Sequence, residues 1–157
     1  MRGAPLGIGR AGANRETAMT NVVRALAQCE AALEVFRRQG RGHLVLVSSM
    51  SALRGMRRSM TTYAATKAGV AALAEGLRAE RIPGVDVSVV HPGYIRSEMN
   101  QHVQQRTRFV VDTPTGVRAM VDAIEERRTR AYVPAWPWVP IGAAMRVLPL
   151  SVVRRLS

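Results

Sequence analysis

Between Asn14 and Arg38, apolar side chains recur at Val22, Leu26, Cys29, Leu33 and Phe36, spaced alternately by four and three. That spacing predicts a long helix with one buried stripe, closed by Gly40. His43–Ser48, HLVLVS, is a short aliphatic run suited to a strand covered on both faces. Residues 49–60 are polar and read as a loop. A second helix is predicted over Thr61–Arg81, with Val70, Leu73 and Leu77 on one stripe and Pro83 and Gly84 stopping it. Val85–His91 gives a second buried strand, broken by Pro92-Gly93. Thr113, after Asp112, can cap a third helix that ends near Arg127 and Arg128, and Arg130–Pro134 supplies a third strand. Helices alternating with strands, joined by connections too long for hairpins, imply an α/β fold with a parallel sheet flanked by helices.

The chain has 157 residues, the size of one domain, and neither a repeat nor a low-complexity linker divides it. With 47% hydrophobic and 22% charged residues it is globular in composition, which excludes disorder and a disulfide scaffold. The single cysteine, Cys29, lies in the apolar stripe and reads as a buried, inert thiol. No spacing suggests a metal site. No apolar run is long enough to span a bilayer, and the first residues lack the core of a secretion signal, so a cytoplasmic chain is expected.

The formal charge of +12 comes from 22 arginines and one lysine, Lys67, against 11 acids. Basic proteins that grip nucleic acid gather their cations and interleave aromatics. Here aromatics are 4% and arginines run from Arg2 to Arg155, so the charge reads as arginine-rich composition and no nucleic-acid partner is expected.

Tyr63 and Lys67 stand four apart on one helix face, where their side chains can converge on one ligand. A tyrosine titrates near 10, and bringing it to neutral pH costs roughly 4 kcal/mol, part of which a nearby ammonium can supply. A phenol so tuned can exchange a proton with a substrate oxygen. Ser48 and Ser49 end the first strand, and His91-Pro92-Gly93-Tyr94 ends the second at the same carboxyl edge, where open parallel sheets place their ligands.

Together these segments resemble the short-chain dehydrogenase/reductase family. The residues that carry the likeness are Val47-Ser48-Ser49, Tyr63-Ala64-Ala65-Thr66-Lys67, His91-Pro92-Gly93-Tyr94-Ile95-Arg96-Ser97, and Asn21 within Thr20-Asn21-Val22-Val23, in the family's order over about residues 14–135. The resemblance implies NAD(P)-dependent interconversion of a small-molecule carbonyl and an alcohol. In it Tyr63 would be the acid/base, and Lys67 would hold the nicotinamide ribose and lower the tyrosine pKa. Ser49 would bind the reacting oxygen and Asn21 would anchor a water relay. Pro92, Gly93 and Ile95 would lie against the nicotinamide, and Ser97 would reach a phosphate. Ser49 precedes Tyr63 by fourteen positions and Ser51 by twelve, where the family has thirteen, so both serines remain candidates; Ser49, directly after the strand, is preferred.

The family places a further strand and a glycine-rich phosphate turn ahead of the helix that holds Asn21. Gly3, Gly7 and Gly9 reproduce the glycine spacing, but no strand precedes them and Gly9 lies too close to Asn21 for the intervening strands, so the segment reads as a loop entering the helix. The implied fold is a Rossmann-like, doubly wound parallel sheet truncated at its N-terminus, with about three strands, as one partial domain over residues 1–157. Residues 136–157 would form a substrate-region or surface tail. The implied cofactor is NAD or NADP, with NADP favoured. The chain by itself is expected to be inactive and poorly soluble, and homo-oligomers would form through the two long helices. The alternative is a non-catalytic relative or a membrane-surface protein, suggested by the Trp-bearing segment 131–153, with Pro134, Pro137, Pro140 and Pro149 arguing against one long amphipathic helix.

Overall fold

The computed structural model describes residues 3–96 and 109–156. Three strands, β1 (Gly42–Val47), β2 (Val85–Pro92) and β3 (Arg130–Val133), form one parallel sheet in the order β1-β2-β3. β2 lies in the centre and is buried from Val87 to His91, with Ser88 and His91 as buried polar residues among the valines. Its odd positions, Val87 and Val89, pack with Leu46 and with helical Cys29, Val70 and Ala74. Its even position Val90 packs on the other face with Ala123, Ala131 and Val133. Helices on both faces of a parallel sheet make this the Rossmann-like layer arrangement expected from the sequence.

The N-terminal helical rod is made of α1 (Ala11–Ala18), a π-helical turn (Met19–Val23) and α2 (Arg24–Gln39), and Gly40 closes it in the left-handed region. Cys29 is buried on the predicted stripe, whereas Leu26 is 42% exposed and the smaller Ala25 packs into the core. Residues 3–9 form a loop with a turn at Gly7 and Gly9. Ala4 is buried there, and its N–H donates to Asn14 Oδ1 at 2.9 Å, so the glycine spacing belongs to the helix entrance. After β1 the chain makes a 3-10 turn (Met50–Leu53) within the predicted loop and enters α3 (Met60–Ala79). Gly84 opens β2 at positive φ, where any Cβ would collide with the Gly40 carbonyl.

On the opposite face, α4 (Thr113–Glu125) is capped by Asp112 and not by Thr113: the Asp112 carboxylate accepts from the Thr115 N–H at 2.8 Å. The Thr113 hydroxyl instead donates to the Arg96 carbonyl at 2.6 Å. The proline-rich tail folds as α5 (Ala135–Val147) and α6 (Leu150–Leu156). Trp136 keeps a non-helical backbone, so Pro137 starts the helix proper and Pro140 falls in its first turn, where most N–H groups lack helical partners anyway.

Ser48 N–H donates to Val90 O at 2.8 Å, so in this parallel register the N–H and C=O of His43, Val45 and Val47 face away from β2. Among the described residues no strand pairs with that edge. Val89, with no exposed surface at the sheet centre, sets a stability test. Val89→Ala should cost about 2–3 kcal/mol and lower the melting temperature by roughly 5–10 °C, while Val117→Ala on the exposed face of α4 should change stability by less than about 0.5 kcal/mol. Equal effects of the two would contradict this core.

Candidate active site

The carboxyl edge of the sheet gathers the residues singled out from the sequence. Ser49 follows β1 in extended conformation and precedes the 3-10 turn. Its hydroxyl oxygen accepts from the Ser51 N–H at 3.2 Å and from the Ser51 hydroxyl at 3.0 Å. Both lone pairs are thereby filled, which leaves the Ser49 proton to point outward. It points to Tyr63, whose phenol hydrogen-bonds Ser49. Of the two candidate serines, Ser49 therefore meets the phenol directly, and Ser51, itself buried, orients it from behind.

Burial raises the Tyr63 pKa above its ordinary value, with a further rise from neighbouring Tyr94, and the Ser49 hydrogen bond opposes these by favouring the phenolate. The ammonium of Lys67 stands 6.0 Å from the Tyr63 ring centroid and donates to the Val47 carbonyl at 2.9 Å, on the unpaired edge of β1. Burial pushes the Lys67 pKa down. The sequence led to a tyrosine pKa lowered by Lys67, whereas in this structure desolvation outweighs any such help.

Two residues without an assigned role in the sequence reading anchor this helix. Buried Ser48 donates its hydroxyl to the Lys67 carbonyl at 2.8 Å, tying the end of β1 to α3. Thr66 Oγ1 donates to the Tyr63 carbonyl at 2.8 Å and accepts from Asn21 Nδ2 at 3.0 Å. Asn21 thus reaches α3 through Thr66, from within the π-helical turn, an irregularity that recurs at functional sites.

Pro92 ends β2 beside Val133, and the Gly93 N–H donates to the Val133 carbonyl at 2.9 Å. Tyr94 meets Trp138 edge-on, with ring centroids 5.6 Å apart. Ile95 forms a parallel bridge with Val111 and its side chain fills the space over Gly116. Ser97 lies outside the described residues. Among the described residues no cluster of His, Cys, Asp or Glu could hold a metal.

Strand-end serines, a tyrosine and a lysine one helical turn apart, and a Pro-Gly turn thus meet at one sheet edge. Residues 3–108 match the sequence profile of the short chain dehydrogenase family, and the chain belongs to that family. An uncharacterized oxidoreductase of Mycobacterium tuberculosis is 47% identical over 157 residues, covering 99% of this chain and 62% of the relative. A short chain dehydrogenase from Burkholderia cenocepacia, solved in complex with NADP, superposes with TM-score 0.81 at 26% identity, covering 98% of this chain and 65% of that one. A short-chain dehydrogenase from Sphingobium yanoikuyae in complex with NADPH shares the fold, with TM-score 0.78 at 21% identity over 98% of this chain and 59% of that one. The chain thus spans about three-fifths of the length of these relatives.

Gly93 lacks a positive φ, so its requirement is steric: a Cβ there would overlap the Trp138 indole. Gly93→Ala should therefore destabilise the chain by about 1–3 kcal/mol. In a double-mutant cycle with Trp138→Ala, measured by urea unfolding, the combined loss should fall short of the sum by about 1–2 kcal/mol. Strict additivity would show that the indole is not what excludes a side chain at position 93.

Proposed function

We propose that this chain carries the catalytic portion of an NAD(P)(H)-dependent reductase that interconverts a carbonyl compound and an alcohol. The observation that supports it most is the convergence of the Ser49 hydroxyl on the Tyr63 phenol, with the Lys67 ammonium beside the ring, at the carboxyl edge of the sheet. The donor set fits the nicotinamide half of such a cofactor. Lys67 Nζ has three N–H donors, of which Val47 takes one, and Tyr63 lies on the same helix face. The adenosine and pyrophosphate half has no match among the described residues, because the glycines at 3, 7 and 9 follow no strand there.

When bound, the cofactor supplies the hydride. Tyr63, kept protonated by burial, donates its proton to the carbonyl oxygen during reduction and takes one back during alcohol oxidation. Ser49 donates a second hydrogen bond to the same oxygen and orients it, its own acceptor sites being filled by Ser51. Lys67 holds ribose hydroxyls and adds positive charge near the phenol as phenolate develops. Asn21, acting through Thr66, steadies the helix that carries both. Pro92, Gly93 and Ile95 form the wall on the nicotinamide side.

The described residues address only this half, so NADPH and reduced nicotinamide mononucleotide should bind the chain with similar, weak affinity, and Lys67→Ala should weaken both. Against the inactivity expected from the sequence, this reading requires slow carbonyl reduction by the chain, which Tyr63→Phe should lower by roughly 10²–10⁴-fold while retaining binding, as removal of a general acid does. Calorimetric titration and nicotinamide absorbance over a panel of ketones and aldehydes provide the two measurements. Failure of either nucleotide to bind saturably, or full turnover by the phenylalanine variant, would refute the reading.

A second reading concerns the tail. Trp136 is 79% exposed, and Val147 and Leu150 are also largely exposed, forming apolar projections around α5 and α6. No described helix is long and apolar enough to cross a membrane, so contact would be with the surface. Cosedimentation with anionic vesicles that is lost in the triple variant Trp136→Ala, Val147→Ser, Leu150→Ser would support that contact. No cosedimentation of the unaltered chain would exclude it.

A further inference from the structure

His91 takes no part in the chemistry just described, yet it is the least exposed titratable side chain at this sheet edge, at 1%. It stands on β2 immediately before Pro92-Gly93, and its Nδ1 lies 3.2 Å from the Ser49 carbonyl oxygen, across 42 positions of sequence. A carbonyl can only accept, so Nδ1 carries the proton and the neutral ring has a bare Nε2. That Nε2 is buried without a hydrogen-bond partner, against the ring of Tyr132 at 5.2 Å between centroids.

The same Ser49 oxygen also accepts the Ala52 N–H at 3.0 Å. Its peptide plane is therefore held from two sides: by the 3-10 turn that follows it, and by the neighbouring strand. The backbone ladder between β1 and β2 reaches Ser48, whose N–H donates to the Val90 carbonyl, so the imidazole extends the pairing by one residue, from main chain to side chain. Holding that plane restrains rotation about the Ser49 Cα–C bond, and with it the direction from which the hydroxyl meets Tyr63.

We propose that His91 is a positioning residue: its Nδ1–H holds the Ser49 carbonyl so that the Ser49 hydroxyl stays on the Tyr63 phenol, linking the serine to the Pro92-Gly93 turn. This rests on the reading of Ser49 and Tyr63 as the working pair. The surroundings keep the ring in the form the role needs. Burial disfavours the imidazolium most; the Ser49 carbonyl favours it, and the charges of Arg130 on β3, Arg146 on α5 and Arg78 on α3 oppose it. The Tyr132 ring is the remaining neighbour from β3, and no carboxylate is among the charges acting on the ring.

The test uses the unaltered chain and readouts that do not need turnover. In a chain with ¹⁵N-labelled histidine, assigned with His91→Asn, ring nitrogen spectra should show His91 neutral at pH 7 with the proton on Nδ1. An Nε2–H tautomer or an imidazolium would overturn the proposal. The Tyr63 titration, followed with ¹³C-labelled tyrosine, should then separate three substitutions. His91→Asn keeps a donor near the Nδ1 position and should leave the curve in place. His91→Leu should lower the phenolate fraction at a fixed alkaline pH by about two- to tenfold, the worth of one hydrogen bond. His91→Gln, which carries its amide one atom further out, should behave like His91→Leu and replaces it if the leucine variant does not fold. A folded leucine or glutamine variant with an unmoved Tyr63 curve would refute the role even if the reductase reading stands. Conversely, full turnover by Tyr63→Phe would sink the reductase reading and leave the tautomer and titration results unchanged.

Discussion

The register between β1 and β2 is the constraint on which the site depends. Val47 opposes Val90, so Ser48 and Ser49, leaving the end of β1, run alongside His91 and Pro92 at the end of β2. Side chains alternate across a strand, so a slip of one position would turn Leu46 and Leu44 out of one core and carry Val45 into it. The apolar pattern that holds the sheet in register thus also aligns the serine with the histidine. The site's geometry is inherited from core packing and needs little stabilisation of its own.

Helix α3 is held at that edge by two hydroxyl bonds, one from the end of β1 and one within the helix that Asn21 braces from outside. Ser48 grips the carbonyl of Lys67 from the strand, and Thr66, held by Asn21, grips the carbonyl of Tyr63 from within the helix. The accepting carbonyls belong to Lys67 and Tyr63 themselves, so the phenol and ammonium are set by their own backbone. The environment so formed is dry enough to raise the Tyr63 pKa and lower that of Lys67, both toward the neutral form. In the reading proposed above, a phenol kept protonated by burial is suited to give its proton to a bound oxygen, and the Ser49 bond tempers the cost of phenolate.

Much of this was legible in the sequence because it is local. The Tyr63–Lys67 spacing needs only a helix, and the strands announce themselves as apolar runs. The features that escaped are those where distance or geometry overrides pattern. Leu26 is the larger apolar residue, but Ala25 lies in the direction of the core, and side-chain size carries no information on direction. The π-helical turn around Asn21 has no periodic signature. Prolines in the tail argued against one long helix, and the segment does break at Leu148-Pro149; what escaped is that Trp136 resets the helix start so that Pro137 and Pro140 fall in the first turn of α5. The sequence offered Thr113 as the cap, but its hydroxyl goes to the Arg96 carbonyl and Asp112, one residue earlier, takes the role. His91 read as the end of a strand because its partner, Ser49, is 42 positions distant.

The choice of one lysine among 23 basic residues acquires a structural reason. Lys67 Nζ must reach the Val47 carbonyl while half-buried beside an aromatic ring, and it must leave donors over for a ligand. An ammonium meets both needs as a compact charge with three donors that can rotate. A guanidinium is planar, larger and fixed in its fork, and it stays charged under desolvation that moves an amine toward neutrality. A composition that supplies arginine at 22 other positions therefore departs from itself where the site demands a small cation whose protonation responds to burial. The exception identifies the position more sharply than the total charge does, because that total is distributed over the whole chain and this one residue sits where two strands and a helix meet.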